Sequence, residues 1–230
     1  MGSRVILEAS DGCSLNAYQA LPAGPPRGGV VIIQEIFGLN HHIRSVVDQY
    51  AEAGYVALAP AIFDRARPGV ELGYTPQGTR EGRALRTAIG WDAPLLDIAA
   101  AARAVAARTG HAPAVIGYCW GGSLAWLAAA RGLEVSCAVA YYGGQIAALL
   151  EQTPDRPQIP VLLHFGERDA LIPARDVEAI RGAHPEAEVF VYPAGHGFNC
   201  TERADHSPES AATALVRTLS FLERHRGNPA

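Results

Sequence analysis

The chain has 230 residues, 49% of them apolar and 18% charged, enough for one substantial core and too apolar for a disordered chain. Its net charge of -4 gives no basis for binding nucleic acid or an anionic membrane. All 19 basic residues are arginine, which excludes a Walker phosphate loop, a pyridoxal-phosphate Schiff base and a lysine aldolase.

In chain order, residues 4–9 and 14–20 alternate around Asp11-Gly12 and read as a hairpin. A turn-rich link, 22–29, leads into the continuous apolar run 29–34, a strand buried on both faces. Asn40 caps a helix over 41–53 that Gly54 stops, and a short buried strand over 55–59 ends at Pro60. Residues 64–90 carry scattered glycines, prolines and arginines, and read as an excursion over one edge of the sheet. Beyond it the pattern predicts helix 93–108, strand 114–117, helix 123–131 and strand 135–141. Strand 160–165, helix 174–183, strand 188–192 and a terminal helix over 208–226 complete it. Such alternation predicts a single α/β domain over residues 1–230, with a mostly parallel central sheet and helices on both faces. Ligands of such sheets gather at the carboxyl ends of the strands.

Three strand ends carry chemistry. Gly117-Tyr118-Cys119-Trp120-Gly121 joins a strand to an Ala/Leu-rich helix, the G-x-nucleophile-x-G elbow of the α/β-hydrolases with cysteine in place of serine. A nucleophile on so tight a turn has strained backbone angles, and side chains two residues to either side would collide. Asp169 lies on the loop Gly166-Glu167-Arg168-Asp169. Glu167 is nearer the strand and Asp176 lies inside the next helix, so Asp169 is the better-placed acid. His196 sits between glycines in Ala194-Gly195-His196-Gly197-Phe198, a poor position for core packing. The order nucleophile, acid, histidine is that of the α/β-hydrolases. Cys119 would attack a carbonyl carbon, His196 would move protons and Asp169 would orient the imidazole. The backbone N–H groups of Trp120 and Ile36 are the expected oxyanion donors.

Glu35, at the end of a buried strand on the same edge, has two readings: an arginine-paired carboxylate, or a group that contacts the thiol and governs its protonation. His164 falls within a strand and reads as a packed residue, while His111, His184, His206 and His225 fit solvated loops or helix surfaces. His41 and His42 are adjacent on a helix and face different ways, so no two-histidine metal site is expected. Cys13, Cys119, Cys137 and Cys200 form no C-x-x-C pair and read as free thiols, with Cys137 in the core.

Gln34-Glu35-Ile36-Phe37-Gly38, Gly117-Tyr118-Cys119-Trp120-Gly121-Gly122, the Gly166 to Asp169 loop and Gly195-His196-Gly197-Phe198 together resemble the dienelactone hydrolase family. The resemblance implies an α/β-hydrolase fold, no cofactor and no metal, and hydrolysis of enol-lactones such as dienelactone to maleylacetate. It also implies Cys119, Asp169 and His196 as the triad, and Glu35 as the group that holds the thiol at rest. Members of the family hold a substrate carboxylate with arginines. The one expected shortly after the histidine is replaced by Asn199-Cys200 in this chain, leaving Arg203 as a substitute and Arg80 or Arg83 as equivalents of the other. The expected partner is a small ester or lactone, with no nucleic acid or membrane. Carboxylesterase or thioesterase action on another metabolite, a redox role for Cys119 and an idle ligand-binding protein are the alternatives. No apolar run spans a membrane and no basic-then-apolar leader is seen, so a cytoplasmic monomer or weak homodimer is expected.

Overall fold

The computed structural model describes residues 2–152 and 156–225. Eight strands form one sheet in the order β1-β2-β4-β3-β5-β6-β7-β8. β1 (Ser3–Glu8) and β2 (Ser14–Ala20) form the antiparallel hairpin at one edge, and β2 runs antiparallel to β4 (Tyr55–Pro60). From β4 through β3 (Gly28–Ile33), β5 (Ala114–Tyr118), β6 (Ala138–Tyr141), β7 (Val161–Gly166) and β8 (Glu188–Tyr192), every pairing is parallel. Every residue of β4 and β5 is buried, as their unbroken apolar runs require in the centre of a covered sheet. β2 alternates instead: Leu15 and Ala17 point inward while Ser14 and Asn16 are exposed.

Helix α1 (His41–Glu52) packs on β4, and the Asn40 side chain accepts the Ile43 N–H at its start, as the sequence predicts. α3 (Asp92–Thr109) packs on β3 and β4, and α4 (Trp120–Ala130) on β5 and β6. α6 (Ala174–Ala183) touches the short α5 (Ile146–Gln152), and α7 (Pro208–Arg224) rests on β7. Buried Asp97 in α3 takes two 2.8 Å hydrogen bonds from Arg65, which also reaches Asp11 in the hairpin turn at 2.7 Å. That fork ties the edge hairpin to the core.

Several expectations change. Residues 64–90, read as an excursion over one edge with no element assigned, contain α2 (Pro76–Ile89), capped by Thr75, whose side chain accepts the Gly78 N–H, with Pro76 in its first turn. Gly78 and Gly82 weaken its helical pattern, but a Cβ on Gly82 would lie 1.9 Å from the Ile36 carbonyl oxygen, so this helix needs glycine to lie on that loop. α5, only two turns long, is also unforeseen, although Ile146, Leu149 and Leu150 follow helical spacing. α4 starts three residues earlier than expected, directly after Cys119, and β6 starts three residues later. The last residue expected in the terminal helix, 226, lies outside the described residues.

Candidate active site

Strand register brings the singled-out residues together. Ile33 pairs with Gly117, Tyr118 with Tyr141 and Gly166 with Tyr192, so the loops after β3, β5, β7 and β8 leave the sheet at one edge. Cys119 sits at the junction of β5 and α4 with φ 56° and ψ -116°, a conformation that side chains rarely adopt. Its N–H donates to the Tyr141 carbonyl at 2.9 Å. A Cβ on Gly117 would lie 1.8 Å from Gly121 O, and one on Gly121 would lie 2.4 Å from Ile33 O, so both flanking positions must be glycine. Cys119 itself is partly exposed beside the first turn of α4.

His196 Nε2 lies 3.1 Å from Cys119 Sγ, and its Nδ1 lies 2.7 Å from Asp169 Oδ2. The other Asp169 oxygen accepts the Leu171 N–H at 2.8 Å, which fixes the carboxylate. Asp169 and His196 are buried, with the Tyr142 ring 5.1 Å from the imidazole and Phe198 packed behind Tyr142. Burial alone would depress the imidazole; the Cys119 sulfur and the Asp169 carboxylate overcome it and raise His196 to about 10. Glu167 is exposed and Asp176 lies beside Arg175, so neither competes with Asp169 for the ring.

Glu35 is completely buried at the end of β3. Its Oε2 accepts from the Tyr74 hydroxyl at 3.0 Å, and its Oε1 lies 3.5 Å from Arg203 Nη1. The Arg203 guanidinium lies over both the Phe37 and Tyr74 rings, at 5.9 and 5.8 Å, and the two rings are themselves in contact, 4.5 Å apart. Gly197 makes room for it, since a Cβ there would lie 2.6 Å from Arg203 Nε. Burial would lower the Arg203 pKa, but the Glu35 carboxylate outweighs it and raises it. The arginine-paired reading of Glu35 is therefore what the geometry contains, and among the described residues no hydrogen bond joins Glu35 to Cys119. Burial first and the Glu35 carboxylate second raise Tyr74, so its hydroxyl stays protonated and donates. Cys200 is buried nearby, its thiol pushed up to about 11 by burial and by Glu35. His42 is buried there too, and burial lowers its pKa.

Ile36 follows Glu35 at this edge, and Trp120 opens α4, where a helix leaves its first N–H groups without intrahelical acceptors. The Trp120 ring stacks on Phe63 at 5.4 Å. Of the arginines singled out, only Arg203 reaches the site. Arg80 and Arg83 are exposed on α2, and neither has a hydrogen bond or ion pair to the site among the described residues. Arg86, one turn on and not foreseen, turns to Gln145 at 3.3 Å, beside the Tyr142 loop. Tyr142 was also missed; its φ of 41° at a strand end is a structural signal with no sequence counterpart. Tyr74 could have been found only by recognising the Thr75-Pro76 helix start beside it.

The remaining histidines differ in part from expectation. His164 is a packed residue, bonded to Tyr192 at 2.8 Å and to Thr218 at 3.0 Å. His184 is not solvated: it is buried against Trp126 with Glu186 at 3.2 Å, because the end of α6 turns inward there. All four cysteines are free, and Cys137 is in the core.

The family model described as "Dienelactone hydrolase family" matches residues 15–226. A Synechocystis sp. protein named "Putative carboxymethylenebutenolidase" is 38% identical over 209 residues, 84% of this chain and 85% of its own. The "Carboxymethylenebutenolidase" of Pseudomonas putida is 34% identical over 229 residues, 95% of this chain and 94% of its own. A solved Klebsiella pneumoniae chain titled "Putative Dienelactone Hydrolase" superposes with a TM-score of 0.79 at 32% identity, covering 95% of this chain and 98% of that one. The mostly parallel eight-stranded sheet is thus the α/β-hydrolase fold. A strained cysteine at the end of β5, framed by two obligatory glycines, is the local counterpart of a match that runs almost end to end: the chain belongs to the dienelactone hydrolase family and is a hydrolase.

Proposed function

We propose that the protein hydrolyses activated esters or lactones of small molecules through a Cys119-His196-Asp169 triad and an acyl-thioester intermediate. The observation that carries this is the position of His196, whose two ring nitrogens meet Cys119 Sγ at 3.1 Å and Asp169 Oδ2 at 2.7 Å. His196, whose proton affinity the Cys119 sulfur and the Asp169 carboxylate raise, is the group that takes the thiol proton. The sulfur attacks the carbonyl carbon, and the N–H groups of Trp120 and Ile36 receive the oxyanion. Collapse of the tetrahedral intermediate expels the leaving oxygen, which takes the proton from His196. The ring, now neutral, activates water to cleave the thioester and return the thiol. Asp169 holds the ring by Nδ1 throughout and stabilises its charged form.

Family membership supports an enol-lactone as the leading substrate, since the Pseudomonas putida relative is named carboxymethylenebutenolidase. Arg203 is the arginine that we assign to a substrate carboxylate, since it is the one of the three candidates that stands at the site. Glu35 then acts as the group that Arg203 leaves when an anionic substrate arrives.

The experiment is hydrolysis of a panel of enol-lactones and simple esters by the native protein and by Cys119→Ala, with mass spectrometry of the quenched reaction. A covalent adduct on Cys119 in the native protein and loss of turnover in a folded Cys119→Ala variant are expected. Unchanged turnover in Cys119→Ala, or an adduct on Cys13 or Cys137, rejects the nucleophile.

A further inference from the structure

We propose that Glu35, His42 and Cys200 form a binding site for a single zinc ion beside the catalytic edge. A carboxylate oxygen, one ring nitrogen and the thiol sulfur of these residues all lie within 4.8 Å of one another, and all three side chains are buried. His42 is 2% exposed, and its Nε2 has no hydrogen-bond partner among the described residues. An orphaned buried imidazole nitrogen is costly unless something satisfies it, and a metal ion does so.

The donors select the ion. Sulfur, imidazole and one carboxylate are the ligands of zinc, whereas calcium and magnesium require mostly oxygen. Bonds of about 2.0 to 2.3 Å space the donors of a tetrahedral zinc by about 3.3 to 3.8 Å. The three atoms therefore need to close by at most about 1 to 1.5 Å, a side-chain adjustment. Cys200 loses its proton to solvent as the sulfur–zinc bond forms, with no change of oxidation state. The thiolate and the carboxylate then cancel both charges of the ion, which allows it to sit near the Arg203 guanidinium. The Cys119-His196-Asp169 line offers similar atoms but cannot chelate in the same way, because His196 uses opposite nitrogens for its two partners. Sequence spacing does not show the site, since its ligands come from the end of β3, the first turn of α1 and the loop after β8.

Cobalt(II) is the probe, added to chelator-treated protein. The native protein and Cys119→Ser should each bind one equivalent with a thiolate-to-cobalt charge-transfer band. Cys200→Ser should lose the band, and His42→Gln should weaken binding at least about tenfold. A band that survives Cys200→Ser, a band lost only in Cys119→Ser, or no band in the native protein overturns the proposal. Anomalous diffraction at the zinc edge from zinc-grown crystals of the native protein needs no variant. A peak between the three side chains supports the site, and a peak at Cys119, another position, or none overturns it.

Discussion

Glu35 and Arg203 are 168 residues apart in the chain and meet at 3.5 Å, with Tyr74 completing the carboxylate's contacts at 3.0 Å. The side chain of Arg203 keeps 18% of its exposure while that of Glu35 has none, so a substrate carboxylate meets the guanidinium before it meets Glu35. An anionic substrate therefore competes with a buried carboxylate for one cation. Charge-assisted bonds of this kind contribute about 1.5–3 kcal/mol. Arg203→Gln should raise KM for an anionic lactone by about 10- to 100-fold more than for its neutral methyl ester. Arg80→Ala and Arg83→Ala, on the exposed side of α2, should change neither. Equal effects of Arg203→Gln on both substrates would remove its role as a carboxylate anchor.

Cys119 and Asp169 together set the charge state of His196 against the cost of its burial. Its affinity for a proton is raised, so the charged ring is present below the shifted midpoint and is lost only as pH rises toward about 10. NMR of nitrogen-15-labelled histidine should show an imidazolium at His196 through neutral pH. In Cys119→Ser the sulfur's contribution is gone while burial still opposes the charge, so the midpoint should fall by at least about one unit. A native midpoint near that of a free histidine, or no change in the serine variant, contradicts this account.

Much of this site can be read from the sequence because its parts are strand ends, and strand ends are where apolar runs stop. Cys119, Asp169 and His196 each follow such a run, and parallel register then places them at one edge. The surroundings are not legible in that way. α2 breaks helical periodicity with Gly78 and Gly82 because it must lie against the Ile36 carbonyl, a tertiary requirement that local pattern does not record. The same helix decides which arginine faces inward, and the sequence pattern does not record that Arg86 turns to Gln145 while Arg80 and Arg83 are exposed. Pairing of Glu35 with Arg203 and Tyr74 depends on three loops meeting, and no spacing encodes it.

Away from the site, the Arg65 fork is the contact whose loss should cost most. Asp97 is fully buried and accepts two 2.8 Å bonds from a guanidinium whose side chain is 11% exposed. Asp97→Ala leaves that cation without its buried partner, and breaking such a pair typically costs about 3–5 kcal/mol. Chemical denaturation should show a loss of that order, while Asp11→Ala, at the solvent-facing end of the fork, should cost far less. Comparable losses in the two variants would mean that Asp97 is not the anchor.

The last prediction follows from sulfur in place of oxygen at the elbow. When a thiolate adds to an ester, the tetrahedral intermediate either expels the alcohol or expels the sulfur again. A thiol with an ordinary pKa of ~8.5 leaves far more readily than an alkoxide. Simple alkyl esters should therefore mostly revert to thiolate and ester. An enol-lactone goes forward because its departing enolate is stabilised by conjugation. Donors at the oxyanion position lower the barriers on both sides of the intermediate and leave the preference in place. The native enzyme should favour enol or aryl esters over alkyl esters of matched size by on the order of 10²-fold in kcat/KM, or about 2.7 kcal/mol. In an active Cys119→Ser variant the alcohol and serine oxygens are comparable leaving groups, so the bias should narrow. Similar kcat/KM values for matched alkyl and enol esters in the native enzyme would show that sulfur does not set the specificity.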